Sequence, residues 1–469
     1  MKTTKKIFAA VLAVMMIALM IPFSASAAEG NTYNAFIKGK NGFKVNVYKV
    51  AKINTTTGEY TEIQGGTAVA TALKTWKNAS GNDSKALLAA CESATFTDAD
   101  SKGNHTFASD EDVYNFGTNE AGVYYVKVTG QPAETSVKKK GGALFALPEG
   151  TKTTQGSAEA PIELKINTGA VEVSKEIVGG DIDTKSTTAS AGDTVTFKLT
   201  ASVTGSKEVP LTEYTIHDNL SGSFDTPAVT EVKVDNTKLS TSDYTVDASS
   251  QSDIKISLSE SYLKAAKEGT NNFYASSDVT VTLTAILKDT AVSGNTTTAN
   301  SNSDRLTYTN TYGQTEKSGE TVYVYTFDLP VFKYDGTTDN KTGLGNATFV
   351  LKKADGTEVA TKVTSVEAGS EGKVTFEKLG AGTYTVQETI APSGYNRNST
   401  LYTINISVEG VITVNGDSNT VTTLEVPNYP VTVPSTGGMG TMMFYVGGAA
   451  LIACAGVLLF VLKRKKAAK

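Results

Sequence analysis

Two lysines fall where a surface charge does not belong. Val171, Val173, Lys175 and Ile177 share one parity, and Glu172, Ser174 and Glu176 share the other. Side chains alternate across a strand, so Lys175 points with the apolar set into a core. Leu329, Val331 and Lys333 repeat the arrangement. Two other segments hold a carboxyl in the same way: Asp218 with Tyr214, Ile216 and Leu220, and Glu388 with Tyr384, Val386 and Ile390. Two more supply a carboxamide: Asn310 with Leu306 and Tyr308, and Asn428 with Leu424 and Val426. Burial lowers a lysine pKa and raises that of an acid, so both groups move toward their neutral forms. A neutral amine is a nucleophile, and a protonated carboxyl polarises an amide carbonyl and shuttles protons. The expected product is a Lys–Asn isopeptide bond with ammonia lost, accelerated by proximity in the folded core. Asp218 and Glu388 are the catalytic candidates. The same residues would also serve as buried ion pairs, or as lysines that snorkel to a strand end. Two segments with the same order, Lys then acid then Asn, favour the bond.

The elements that must position these groups read mostly as strands. Alternation from Asn34 to Ile53 predicts a strand, Thr67 to Ala94 a helix interrupted near Gly81, and Val113 to Val128 a return to strand. Residues 28–161 thus form a β-rich domain with helical insertions, followed by a linker, 162–169. Short alternating segments then recur: Ala170 to Val178, Thr194 to Thr200, Tyr214 to Leu220, Val229 to Val234, Asp253 to Leu258, Ser277 to Leu287 and Leu306 to Tyr312. One short helix, Glu260 to Lys267, interrupts them. This pattern predicts a β-sandwich over 170–328, and a smaller one follows over 329–431. The fold class is mainly all-β, a tandem array of immunoglobulin-like sandwiches.

Both chain ends are apolar. Lys2, Lys5 and Lys6 precede Ile7 to Phe23, and Ala25-Ser26-Ala27 supplies small residues for cleavage, so 1–27 reads as a secretory signal peptide. Near the other end, Met442 to Leu462 carries no charge and would rise about 30 Å as a helix, enough to span a membrane. The basic tail 463–469, with Lys463-Arg464-Lys465-Lys466, fits a cytoplasmic stop, which places the rest outside the cell. Only 2 cysteines occur, Cys91 and the intramembrane Cys454, so no disulfide staples the mature chain. A net charge of −5 implies no nucleic-acid partner. The 2 histidines, His105 and His217, lie far apart with no Cys/His cluster, and neither a metal site nor a cofactor is expected. Asp98-Ala99-Asp100-Ser101-Lys102-Gly103 starts like a calcium loop but has Lys102 at a ligand position, and reads as a solvated turn.

Directly before the membrane span, Val433-Pro434-Ser435-Thr436-Gly437 resembles the cell-wall sorting signal of Gram-positive surface proteins, with Val433 where the family has Leu. The resemblance implies cleavage by a sortase between Thr436 and Gly437 and transfer of the Thr436 carbonyl to an amine. The segment Tyr384-Thr385-Val386-Gln387-Glu388-Thr389-Ile390-Ala391-Pro392-Ser393-Gly394-Tyr395 resembles the E-box of Gram-positive pilins, with Glu388 at the family's acid. Over nearly its whole length the chain is similar to the sortase-assembled major pilins. By that likeness the middle domain and the CnaB-like third domain join Lys175 to Asn310 and Lys333 to Asn428, assisted by Asp218 and Glu388. The first domain usually lacks such a bond. Lys49 shares parity with Val45 and Val47, but no matching acid and Asn accompany it.

A polymer also needs an outward amine. In Ile162-Glu163-Leu164-Lys165-Ile166 the apolar parity leaves Lys165 facing solvent. Pilins carry a linking lysine just before the middle domain, commonly after Tyr-Pro; this chain has no Tyr-Pro there, and Lys152 and Lys138 to Lys140 are competing nucleophiles. In a fibre linked from Thr436 to Lys165, tension crosses only the last two domains, those with internal bonds expected from first strand to last. The expected function is a pilus shaft subunit for adhesion. Its partners would be a sortase, identical subunits, peptidoglycan directly or through a base pilin, a tip pilin and a host or surface receptor. The alternative is a monomeric wall-anchored adhesin of the same domain type. Beyond the self-directed reaction no enzyme activity is expected.

Overall fold

The computed structural model describes residues 32–53, 59–78, 84–147, 154–294, 300–432 and 439–466. The signal peptide 1–27, Lys152 and the sorting motif 433–437 lie outside the described residues. The chain divides into two compact units, Met1–Phe327 and Asp328–Lys469.

In the first unit the alternation expected from Asn34 to Ile53 is split into two strands, Thr32–Lys38 and Lys44–Ile53. Gly42, at a φ of 76°, makes the turn between them, a conformation that costs glycine little. Lys44–Ile53 pairs antiparallel with Gly122–Gly130 and with Ser101–Thr106. Helices Gly66–Asn78 and Ser84–Ser93 cover one side, with Val69, Leu73, Leu87 and Cys91 against Tyr48 and Tyr125. Phe43, Val45 and Val47 face a second core with Tyr124, Phe145, Leu164 and Ile166.

The rest of this unit is a sandwich of two sheets. One runs, in spatial order, Val173–Ile177, Thr194–Ser202, Asp278–Leu287, Phe224–Val234, Thr237–Lys238. The other runs Ser186–Thr188, Gly313–Tyr325, Asn300–Asn310, Glu213–Leu220, Ile254–Leu258, Tyr244–Asp247. Phe197, Leu199, Tyr214, Leu283, Leu306 and Tyr308 fill the space between. The short helix is Glu260–Glu268, capped by the Ser259 hydroxyl on the Tyr262 N–H and ended by Gly269 at a φ of 79°. Two strands extend beyond the apolar pattern. The one expected from Leu306 begins at Asn300, and Gly313–Tyr325 returns beside it as a hairpin. The added stretches 300–304 and 313–321 are polar and are held by the backbone ladder, whereas Val322 and Val324 at the end of the second strand are buried in the core.

The two bodies of this unit are packed together. Thr168–Ala170 pairs antiparallel with Thr135–Val137, and Tyr312 packs on the core of the first body. The Tyr308 hydroxyl donates to the Thr135 carbonyl at 2.9 Å.

The second unit sets a three-stranded sheet, Lys373–Leu379, Phe327–Asp335, Leu424–Asn428, beside a six-stranded one that contains Gly382–Ile390. Its first and last strands are parallel neighbours, with Lys333 opposite Val426 and Asp335 opposite Asn428. A helix, Met439–Lys466, follows; its segment Met442–Lys466, with a mean hydropathy of 2.3, is long and apolar enough to cross a membrane.

Tyr308→Phe should lower the unfolding free energy of the first unit by about 1 kcal/mol, because the Thr135 carbonyl loses its donor. Denaturant titration against the unsubstituted chain measures the difference.

Candidate functional site

Strand pairing brings the second unit's residues together from opposite ends of the domain sequence. Lys333 is fully buried, and its Nζ donates to the Val426 carbonyl at 2.9 Å. Glu388, reaching over from the other sheet, sets Oε1 3.9 Å from that Nζ. The Asn428 Nδ2 donates to the same Oε1 at 2.9 Å, while Asn428 Oδ1 is buried with no partner among the described residues. Half a turn of this carboxamide would set Oδ1 on Oε1, where a protonated Glu388 could donate to it. Burial lowers the Lys333 pKa to about 8, against a smaller upward pull from Glu388. The E-box turn, with Gly394 at a φ of 85°, lets the chain return so that the Asn398 N–H donates to Glu388 Oε2 at 2.6 Å. The Asn398 side chain also donates to the Pro427 carbonyl at 3.1 Å, tying the acid to the asparagine strand. Parity along strands had no means of finding Asn398, which sits in a loop.

In the middle body the same three groups meet across the sandwich. Lys175, on the edge strand Val173–Ile177, is fully buried, and its Nζ pairs with Asp218 of the facing sheet. That Nζ also donates to the Ser303 carbonyl at 3.3 Å and lies 5.8 Å from the Phe197 ring centre. Burial lowers the Lys175 pKa and raises that of Asp218, with the mutual attraction opposing each shift.

The carboxamide beside this pair belongs to Asn302, not to Asn310. Asp218 faces Asp304 across the antiparallel ladder and Leu220 faces Asn302, so Asn302 lies diagonal to Asp218 on the core side. Its side chain lowers the Asp218 pKa, and its Nδ2 and Oδ1 are fully buried with no hydrogen-bond partner of acceptable geometry among the described residues. Asn310 lies six residues beyond Asp304, about 20 Å along the strand. It is engaged there, accepting from the Tyr312 N–H at 2.8 Å and donating to Gln131 at 3.4 Å. Asn310 shares the core-face parity but stands too far along the strand to join Lys175 and Asp218. Asn302 lies on the second-to-last strand of its body, so a bond there would not run from first strand to last.

Lys165 is exposed between buried Leu164 and Ile166. Of its rivals, Lys138 is half-buried and donates to the Val203 carbonyl at 2.9 Å, whereas Lys139 and Lys140 are exposed. Lys49 is buried and pairs with Glu120 at 2.8 Å. Among the described residues no cluster of His, Cys, Asp or Glu could hold a metal ion.

Residues 328–420 match the family described as the SpaA prealbumin-like fold domain. The chain superposes on the full-length major pilin SpaD of Corynebacterium diphtheriae with a TM-score of 0.56 and 18% identity, covering 87% of this chain and 100% of that one. On a backbone pilin of Streptococcus pyogenes, described as a modular three-domain structure, the TM-score is 0.53 with 16% identity over 81% of each chain. No curated protein sequence matches it. At these identities the likeness is one of fold.

In an Asn428→Ala chain Lys333 must remain an amine. Its pKa is about 8 in the folded domain against 10.5 for the free side chain, so between those values the unfolded state binds more protons. Stability should therefore rise with pH across that window, by up to about 3 kcal/mol. Urea titrations of Asn428→Ala should show the rise, and the same titrations of Lys333→Met/Asn428→Ala should not.

Proposed function

We propose that this chain is the shaft subunit of a covalent surface pilus, hardened by bonds it forms within itself. The observation that carries the reading is the fully buried Lys333, set beside Glu388 and the half-satisfied Asn428 carboxamide. Lys175, Asp218 and Asn302 repeat the set one domain earlier. The fold of major pilins over most of the chain supports the same reading.

The chemistry follows from the neutral amine form that burial favours at both lysines. A neutral lysine Nζ attacks the asparagine Cγ while the protonated acid donates to Oδ1, stabilising the tetrahedral intermediate. The acid then relays a proton from the former amine to Nδ2, the Cγ–Nδ2 bond breaks, and ammonia leaves. Glu388 serves Lys333 and Asn428; Asp218 serves Lys175 and Asn302. By analogy with disulfides, each closed loop would stabilise its domain by about 4 to 5 kcal/mol.

Assembly uses the two chain ends differently. The signal peptide directs export, and the helix Met439–Lys466 holds the precursor in the membrane. A sortase then passes the Thr436 carbonyl to Lys165 of the next subunit, and the last subunit is joined to peptidoglycan or to a base pilin. A tip pilin and a surface receptor would complete the adhesive fibre.

Intact mass tests the internal bonds. A soluble fragment, residues 28–436, should be lighter than its own sequence by two ammonia molecules. Asn302→Ala and Asn428→Ala should each abolish one loss, while Asn310→Ala should abolish neither. A mass equal to that of the sequence would sink the proposal. For assembly, Lys165→Ala should collapse the ladder of SDS-resistant multimers formed with sortase, and an unchanged ladder would move the link to another lysine.

A further inference from the structure

The middle body carries one more buried acid than the reaction above employs. Asp304 stands directly opposite Asp218 in the antiparallel pair, on the same core-facing side. It is 7% exposed and sits where the register against the Gly313–Tyr325 strand shifts, between Ser303 and Arg305. Such bulges re-aim a side chain. Its Oδ1 accepts the Glu320 N–H at 2.9 Å, but Oδ2 is buried with no partner among the described residues. Gly319 lies against it: any side chain there would overlap both the Asp304 carboxyl and Val173 of the lysine strand. Room has thus been left for this carboxyl beside the strand that carries Lys175. The residue before it, Ser303, accepts from the Lys175 Nζ at 3.3 Å.

Charge balance makes the second acid informative. One ammonium can offset one carboxylate, and two adjacent buried carboxyls do not both ionise readily. Once Lys175 becomes an amide its positive charge is gone, so a site with both acids ionised would hold two uncompensated charges. Among the described residues, two acids, Asp218 and Asp304, act electrostatically on Lys175, whereas only Glu388 acts on Lys333.

We propose that Asp304 is the proton acceptor of the middle-domain reaction, taking the proton that Lys175 must lose so that Asp218 stays protonated to polarise Asn302. This rests on the internal-bond reading above. The step balances as follows. The Lys175 ammonium gives one proton to the Asp304 carboxylate, and its lone pair forms the Nζ–Cγ bond to Asn302. Asp218 donates to Oδ1. A second Nζ proton is relayed through Asp218 to Nδ2, Cγ–Nδ2 breaks, and ammonia leaves. Asp218 recovers its proton from the collapsing hydroxyl, and Asp304 keeps the proton from lysine until solvent removes it.

The titration of Asp304 suits that role. Burial pushes its pKa up to about 6, with Lys175 pulling it down. The charged groups around it are Lys175 on the edge strand, Asp218 on the facing strand, and Glu320 on the hairpin partner. Lys185 pairs with Glu320 and donates to the Lys175 carbonyl. At neutral pH, then, Asp304 can be ionised and ready to accept.

Closure can be timed in full-length chains made by cell-free synthesis, shifted to a set pH, quenched and digested. The cross-linked peptides joining Lys175 to Asn302 and Lys333 to Asn428 are quantified separately by mass spectrometry. In the unsubstituted chain, closure at Lys175 should accelerate as pH rises through about 6. Asp304→Asn should slow it about 100-fold and remove that dependence, and Asp304→Glu should restore both. Closure at Lys333 should be unaffected in either variant. An unsubstituted chain whose Lys175 closure rate is flat between about pH 5 and 8 would overturn the proposal. So would an Asp304→Asn chain that closes at the unsubstituted rate. If no Lys175–Asn302 peptide forms even in the unsubstituted chain, the internal-bond reading of this domain fails instead.

Discussion

An ammonium group in an apolar core has few tolerable states. It can recruit a carboxylate, give up its proton, or cease to be an amine. The first leaves two charges out of water, whose desolvation cost rivals their attraction. The second is visible here in the lowered pKa values of Lys175 and Lys333. It also supplies the reactive form for the third. Most of the local structure around these lysines can be understood as a response to that constraint: an acid from the opposite sheet, a carboxamide on the adjoining strand, and aromatic or aliphatic side chains closing off water.

The two domains meet the constraint with different layouts. In the second unit Lys333 and Asn428 share a sheet, on parallel neighbouring strands, and Glu388 comes from across the sandwich. In the middle body Asp218 and Asn302 share a sheet, and Lys175 comes from across. A bond in the first case reinforces an existing seam; in the second it rivets two sheets that face each other across the core. What is common is the chemical trio and its burial, not the topology.

Much of this could be read from alternation along strands. Parity places Lys175, Asp218, Lys333, Glu388 and Asn428 on core faces, because each has apolar neighbours two residues away, and all five are buried. Asn302 and Asp304 were not found, for a definite reason: Asn300-Ser301-Asn302-Ser303-Asp304 contains no apolar residue, so nothing marked it as strand. Extending the parity of Leu306 backward would have placed both residues inward. The same polar character hides residues 313–321 of the next strand, although Val322 and Val324 at its end alternate into the core. The packing of the first body against the middle one depends on contacts such as Tyr308 with Thr135, between residues far apart in sequence, and local periodicity carries no trace of such pairs.

The hairpin beyond Asn302 has a bearing on elasticity. A rivet from Lys175 to Asn302 closes the segment between them but leaves the hairpin that turns between Asn310 and Gly313 on the far side of the rivet. Asn302 faces Val322 near the hairpin's open mouth, so a pull between Asn302 and Tyr325 would open the hairpin rung by rung, along with the ladder that joins residues 302–309 to Glu213–Leu220. Straightening residues 303–321 would release slack on the order of 65 Å. Subunits linked and riveted as proposed would be inextensible in their closed loops yet yield at one hairpin each.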